Sequence, residues 1–174
     1  ANPEQAISNA ARLMAEGGAH MVKLEGGAVV CETLKQLADR GVAVCAHLGL
    51  LPQSVHRLGG YRVQGKKESE AATLIEDAKA LQQAGADMLV LECVPADLAK
   101  QITAAVDMPV IGIGAGADCD GQVLVLYDML GITPGKRPRF THDFLADTGA
   151  IPAAIAKYVQ DVKSGAFPSP EQQY

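Results

Sequence analysis

The sequence predicts an α/β fold built on a parallel sheet, and three observations carry that prediction. Four apolar runs, "AHMVKLEGG", "VAVCAHLGL", "ADMLVLECVP" and "MPVIGIGAG", are rich in Val, Ile, Leu and Met on both alternating faces, as strands covered on both sides require. The segments between them carry apolar residues at helical spacing. Glycines close several of those segments, so helix and strand alternate along the chain.

Taken in order, the first helix spans residues 3–16, with Asn2 as N-cap, Pro3 at the first position and Gly17 as its end; Ile7, Ala10, Ala11 and Met14 share one face. The run ending in "MVKLEGG" is the first strand. Residues 28–40 form the next helix, with Val30, Leu34 and Leu37 on its apolar face before Gly41. After the strand around Val44 comes "LGLLPQSVHRLGGYRVQGKKE", which holds Pro52, Gly49, Gly59, Gly60 and Gly65 and little helical periodicity. The steps between strand centres Val22, Val44, Val90 and Ile111 are about 22, 46 and 21 residues, against ~30 for a βαβ unit, and this loop fills the doubled step. Long ordered loops at the carboxyl ends of parallel strands are where binding sites are built. Helices over 69–83 and 95–106 follow, the second leading into the "PVIGIG" strand. The stretch "GQVLVLYDMLGI" reads as a short last strand in preference to the start of a buried helix. Residues 150–164 form a closing amphipathic helix, and 166–174 a Pro-rich tail.

Composition narrows the classes of function. With 15 Lys and Arg against 20 Asp and Glu, the net charge of −5 gives no electrostatic basis for binding nucleic acid. No apolar run is long enough to cross a membrane and no signal peptide is visible, so a soluble, cytoplasmic enzyme is expected. Cys31, Cys45, Cys93 and Cys119 form no CxxC pair, and Cys45 and Cys93 lie inside apolar runs. That spacing points to buried thiols in a reducing compartment and away from a zinc site or disulfide framework.

The chemistry concentrates at strand ends. Lys23 and Glu25 are two residues apart, so on a strand they share a face, just before Gly26 and Gly27 turn the chain. His47 ends the second strand and Glu92 the third. Taken singly, each has an ordinary explanation: a structural ion pair for Lys23 and Glu25, a hydrogen-bonded core residue for His47. Together at one rim they point to function, because burying several charges without one is costly. "GIGAG" lacks the spacing of a phosphate loop and reads as close packing. "GKRPR" at 135–139 reads as a solvated basic loop, or as the partner of an anionic ligand tail.

"MVKLEGG", "HLGLLPQSV", "GGYRVQGK", "LVLECVP" and "PVIGIGAG", in this order, resemble the ketopantoate hydroxymethyltransferase family over residues 1 to about 165. The resemblance implies a (β/α)8 TIM barrel of the phosphoenolpyruvate/pyruvate type, with residues 1–165 as the later part of a single barrel domain. It implies a homo-oligomer, a decamer in the family. The implied reaction carries a one-carbon unit from 5,10-methylenetetrahydrofolate to 3-methyl-2-oxobutanoate, with magnesium (Mg2+) stabilising an enolate. By position, it makes Glu92 the proton acceptor, Lys23 and His47 substrate-binding residues, and Glu25 part of the metal site through a bound water. Leu91, Cys93 and Val94 are expected to give Glu92 its apolar setting. The family's first three strands and its two directly ligating aspartates have no counterpart in these residues, against ~250 for such a barrel. The expectation is therefore that these residues alone bind Mg2+ poorly, aggregate and do not turn over, and that the missing strands come from an upstream stretch or a separate fragment. Two rival readings are a Schiff-base aldolase acting through Lys23 and an inactive barrel fragment serving in assembly. The carboxylate beside Lys23 favours its charged ammonium form over a nucleophilic amine and so disfavours the first.

Overall fold

The computed structural model describes residues 2–56 and 60–174; Gly59 of the long loop lies outside them. Five strands, β1 (Val22–Glu25), β2 (Val44–Gly49), β3 (Met88–Glu92), β4 (Val110–Ile113) and β5 (Gly121–Gln122), pair in that order, and every pairing is parallel. The helices are α1 (Pro3–Ala15), α2 (Cys31–Ala38), α3 (Glu68–Gln83), α4 (Ala96–Ala105), α5 (Leu126–Met129), α6 (Phe144–Thr148) and α7 (Ile151–Ser164). None among the described residues is long and apolar enough to cross a membrane.

Strand parity decides which face meets which partner. Val22, Val44, Ala46, Leu48, Leu89, Leu91 and Val110 enter one core with Ala10 of α1, Leu34 and Leu37 of α2, Leu81 of α3 and Ile102 of α4. These four helices therefore cover one face of the sheet, each packed beside the next in sequence order. Strands in consecutive order with helices on one face make a singly wound wall, the arrangement from which a β/α barrel is assembled. The opposite face is left for Lys23, Glu25, Cys45, His47, Val90, Glu92, Ile111 and Ile113.

Local chemistry fixes the ends. The Asn2 side chain accepts from Gln5 N at 2.8 Å and starts α1 as its sequence predicts. At the amino-terminal feet of the strands, carboxylates answer orphan N–H groups: Val44 N donates to Asp87 Oδ2 at 2.9 Å, and Val110 N to Asp120 Oδ2 at 2.8 Å. Asp77 of α3 accepts from Ala28 N at 2.9 Å and pins the turn that follows β1. At the other end Gly49, at φ 91°, lies against β3 so closely that a Cβ would collide with the Glu92 carbonyl oxygen. Leu50 N donates to that oxygen at 2.8 Å.

One reading needs correction. The stretch after "GIGAG" is a strand only at Gly121–Gln122; Leu124 then drops into a second core and Leu126–Met129 is helical. The chain turns because burying Leu124, Met129 and Leu130 together satisfies a helical turn and not a two-residue period. The Pro-rich residues 166–174 pack against the rest of the chain. Phe167 is buried, its ring edge-to-face with Phe144 and Tyr158, and the Tyr174 carbonyl accepts from Ala96 N at the start of α4.

Candidate active site

The four residues singled out from sequence meet at the carboxyl end of the sheet. Register sets Glu25 beside His47, and Glu92 beside Gly49. Lys23 Nζ donates to Glu25 Oε1 at 2.5 Å and lies 2.9 Å from His47 Nδ1. His47 Nδ1 is 3.3 Å from the same Glu25 oxygen. Exposure falls from Lys23, 46% open at the side chain, through Glu25 at 20% to His47 at 3%. Burial raises the Glu25 carboxyl, but the hydrogen bond and charge of Lys23, joined by His47, outweigh it and hold its pKa below the ordinary glutamate value.

His47 Nε2 lies 3.3 Å from Glu92 Oε2 yet off the direction of a hydrogen bond, and it is buried without a partner. An ammonium only donates, so the close Lys23 contact assigns Nδ1 as acceptor and puts the imidazole proton on Nε2, facing Glu92. A buried donor with no acceptor is costly and is retained where a ligand or a slight movement completes it. His47 therefore links the Lys23–Glu25 pair to Glu92.

Glu92 also borders a cleft of about 670 Å³ whose apolar lining includes Leu50, Cys93, Ile113 and Phe140. Of the three residues expected to set Glu92 in apolar surroundings, only Cys93 does so. Leu91 and Val94 are fully buried in the helix-side core, because Leu91 points to the opposite face from Glu92. Cys93 takes φ 49°, a left-handed conformation rare for a side-chain-bearing residue, directly after Glu92. Burial pushes its thiol up to about 12, so it serves the cleft as an apolar wall. All four cysteines are free.

The basic run 135–139 is largely exposed, and its Lys136, Arg137 and Arg139 line this cleft, with Arg62 also on its lining. Sequence reasoning missed three contributors. Arg62 stands inside an aperiodic loop, Tyr174 in the Pro-rich tail, and Asp128, 7% exposed and accepting from Thr133 Oγ1, within a short helix that carries no signal of burial.

Among the described residues no three His, Cys, Asp or Glu side chains converge as a metal site. Magnesium usually takes one or two carboxylates and keeps several waters. The chain offers Glu25, whose Oε1 already receives Lys23. That donor set suits one water-held contact to a dication and is not a complete site.

The geometry defines a parallel α/β protein with an ammonium, an imidazole and two carboxylates gathered where parallel strands end in loops. More narrowly, the chain belongs to the ketopantoate hydroxymethyltransferase family, whose pattern it matches over residues 1–170. It is 63% identical to the 3-methyl-2-oxobutanoate hydroxymethyltransferase of Nitrosococcus oceani over 174 residues, covering 100% of this chain and 66% of that protein. The enzyme of the same name from Thiobacillus denitrificans is 61% identical over 99% of this chain and 65% of its own length. That of Alteromonas mediterranea is 55% identical over 100% and 66%. The chain thus spans just under two thirds of the length of these relatives. A dihydrodipicolinate synthase structure from Oceanobacillus iheyensis overlaps 62% of the chain and 37% of its own, with 15% identity and a TM-score of 0.40. That likeness is too weak to bear on fold or function.

Proposed function

We propose that this chain carries the proton-abstracting part of a hydroxymethyl transfer to 3-methyl-2-oxobutanoate, the transfer for which its relatives are named, with 5,10-methylenetetrahydrofolate as the donor. The observation that supports it most is Glu92, fixed at a strand end between His47 and an open cleft. A 2-oxo acid brings a carboxylate and a keto oxygen, and Lys23, half exposed at the cluster's mouth, supplies the opposite charge to receive them. Glu92 then takes the C3 proton. His47, with its donor toward Glu92, orients that carboxylate. Carbon C3, left with the electron pair of the broken C–H bond, attacks the methylene carbon of the folate-derived iminium, whose C=N π pair returns to nitrogen; water then displaces that nitrogen, leaving the hydroxymethyl group on C3 and releasing tetrahydrofolate.

Magnesium belongs to the same reading. Glu25 would hold it through water, and when bound it would supply positive charge to the enolate oxygen. Residues 1–165 would then be the later part of a single (β/α)8 barrel, with 166–174 closing onto it, in a cytoplasmic homo-oligomer.

The test is hydrogen exchange at C3 of 3-methyl-2-oxobutanoate in D2O, followed by NMR with the intact protein. Glu92→Gln should leave oxo-acid binding nearly intact and slow exchange by roughly 10² to 10⁴. Exchange at the parental rate would remove Glu92 as the base. Borohydride trapping of the oxo acid on Lys23 would replace this mechanism with imine chemistry.

A further inference from the structure

Side chains of a strand alternate between its two faces, and β3 keeps that rule as far as Glu92. Leu89 and Leu91 enter the helix-side core, while Val90 and Glu92 take the opposite face. Continued alternation would send Cys93 to the helices and Val94 to the cleft. The reverse is found. Cys93 belongs to the cleft-side core with Leu50, Ile113 and Phe140, and Val94 is fully buried in the helix-side core. Two consecutive residues, Glu92 and Cys93, therefore face the cleft. The break lies in one torsion, φ 49° at Cys93, the only side-chain-bearing residue with a positive φ among the described residues.

Backbone hydrogen bonds hold the break from three sides. Leu50 N donates to the Glu92 carbonyl at 2.8 Å, Cys93 N to the Ile113 carbonyl at 2.9 Å, and Gln64 N to the Cys93 carbonyl at 2.8 Å. In an extended residue the N–H and C=O point to the same neighbour, so the Cys93 carbonyl would follow its N–H toward β4. The left-handed turn swings it to Gln64 instead, near the far end of the loop that leaves β2. That donor has a fixed seat. Gly65, next to Gln64, has φ 76° and lies so close to Leu98 and Leu74 of the helix-side core that a Cβ there would press on both.

Glycine takes a positive φ freely, whereas a residue with a side chain is strained there and confined to a narrow well. Such strain persists where the surroundings over-determine it, and it gathers at sites whose geometry must be held. We propose that Cys93 is a positioning residue for Glu92: its Cβ confines the left-handed kink, and the kink, clamped by the Gln64 N–H, holds the Glu92 carboxylate beside His47 and at the cleft. With glycine at this position the peptide joining it to Glu92 would tilt among several wells, and the carboxylate would tilt with it. The inference rests on the function proposed above and adds what aims its base. The thiol has no part in it; a Cβ is all that the device needs.

C3 exchange of 3-methyl-2-oxobutanoate by the intact protein, with urea denaturation alongside, tests the proposal on Cys93→Gly and Cys93→Ala. Both variants lack the thiol, so any contribution of sulfur cancels between them and only the Cβ differs. Cys93→Gly should exchange the proton roughly tenfold to 10² slower than Cys93→Ala, the range expected for a carboxylate displaced by up to about 1 Å. The loss should fall on kcat, with KM for the oxo acid equal within about twofold. Cys93→Gly should nevertheless unfold at an equal or higher urea midpoint than Cys93→Ala, because glycine relieves the strain. A merely structural role would lower rate and midpoint together. Exchange in Cys93→Gly at or above the Cys93→Ala rate, a loss carried by KM, or a slower rate accompanied by a lower midpoint would overturn the proposal. If the parent exchanges, Glu92→Gln does not, and the two Cys93 variants agree, only the positioning role falls; if the parent protein catalyses no exchange, the proposed function falls and this role with it.

Discussion

Glu25 Oε1 accepts from Lys23 and lies 3.3 Å from His47 Nδ1, and that crowding has a pH signature. Its folded pKa lies below the ordinary value of 4.5, so its ionised form is favoured by folding. The sign follows from linkage: the stabilisation is fully present above 4.5 and is lost as pH falls through the lower folded value. In urea titrations from pH 6 to pH 3, the gap in midpoint between the parent protein and Glu25→Gln should narrow toward pH 3. A gap that stays constant would mean that the Lys23 pairing adds nothing to stability. The four candidate residues were legible in the sequence because a period of two put Lys23 and Glu25 on one face and because each stands where a strand gives way to a turn. The same rule should have excluded Leu91 from the surroundings of Glu92, since adjacent strand residues point apart.

Elements were legible wherever a period ran for two turns or more. Helices α1, α3, α4 and α7 fall close to the ranges read from the sequence, and β1 to β4 contain the strand centres chosen from apolar runs. The stretch between Ile113 and α7 was not legible, because its order comes from long-range packing of Leu124, Phe140 and Phe144, joined by Phe167, and from no local repeat. The basic lining of the cleft was readable as a run of charges, but its position was not: residues 62, 136–139 and 174 meet only in the folded chain. Close approach of β2 to β3 gives a test at this scale. Gly41 and Gly49 both have positive φ, but a Cβ on Gly41 would meet nothing within 4 Å, whereas one on Gly49 would strike Glu92. Gly41→Ala should cost only the left-handed strain, about 1–2 kcal/mol. Gly49→Ala should cost more and also slow C3 exchange, by up to ~10² if the carboxylate shifts by about 1 Å. Denaturation midpoints and exchange rates, measured on both variants, decide it; equal effects would mean that Gly49 does not position Glu92.

Across the whole molecule the sheet has two unlike ends. At one, Asp87 and Asp120 satisfy backbone N–H groups at the feet of β2 and β4, and Gln82 Oε1 accepts from Asp107 N and Met108 N ahead of β4. At the other stand Lys23, Glu25, His47 and Glu92, with a buried donor left open. Hydrogen bonds to charged groups contribute about 1.5–3 kcal/mol, so Asp87→Ala and Asp120→Ala should each lower stability by that order and leave the remote cluster's geometry unchanged. A variant library scored separately for cellular abundance and for turnover per molecule should therefore split along the strand axis. Substitutions at the feet would reduce the amount of protein and spare each surviving copy, whereas those at Lys23 or Glu92 would leave a full complement of idle copies. A lineage could then retune its chemistry at one pole of the sheet without renegotiating the other. Drift in the aspartates would be felt first as a lower ceiling on growth temperature, well before any change in what the protein acts upon.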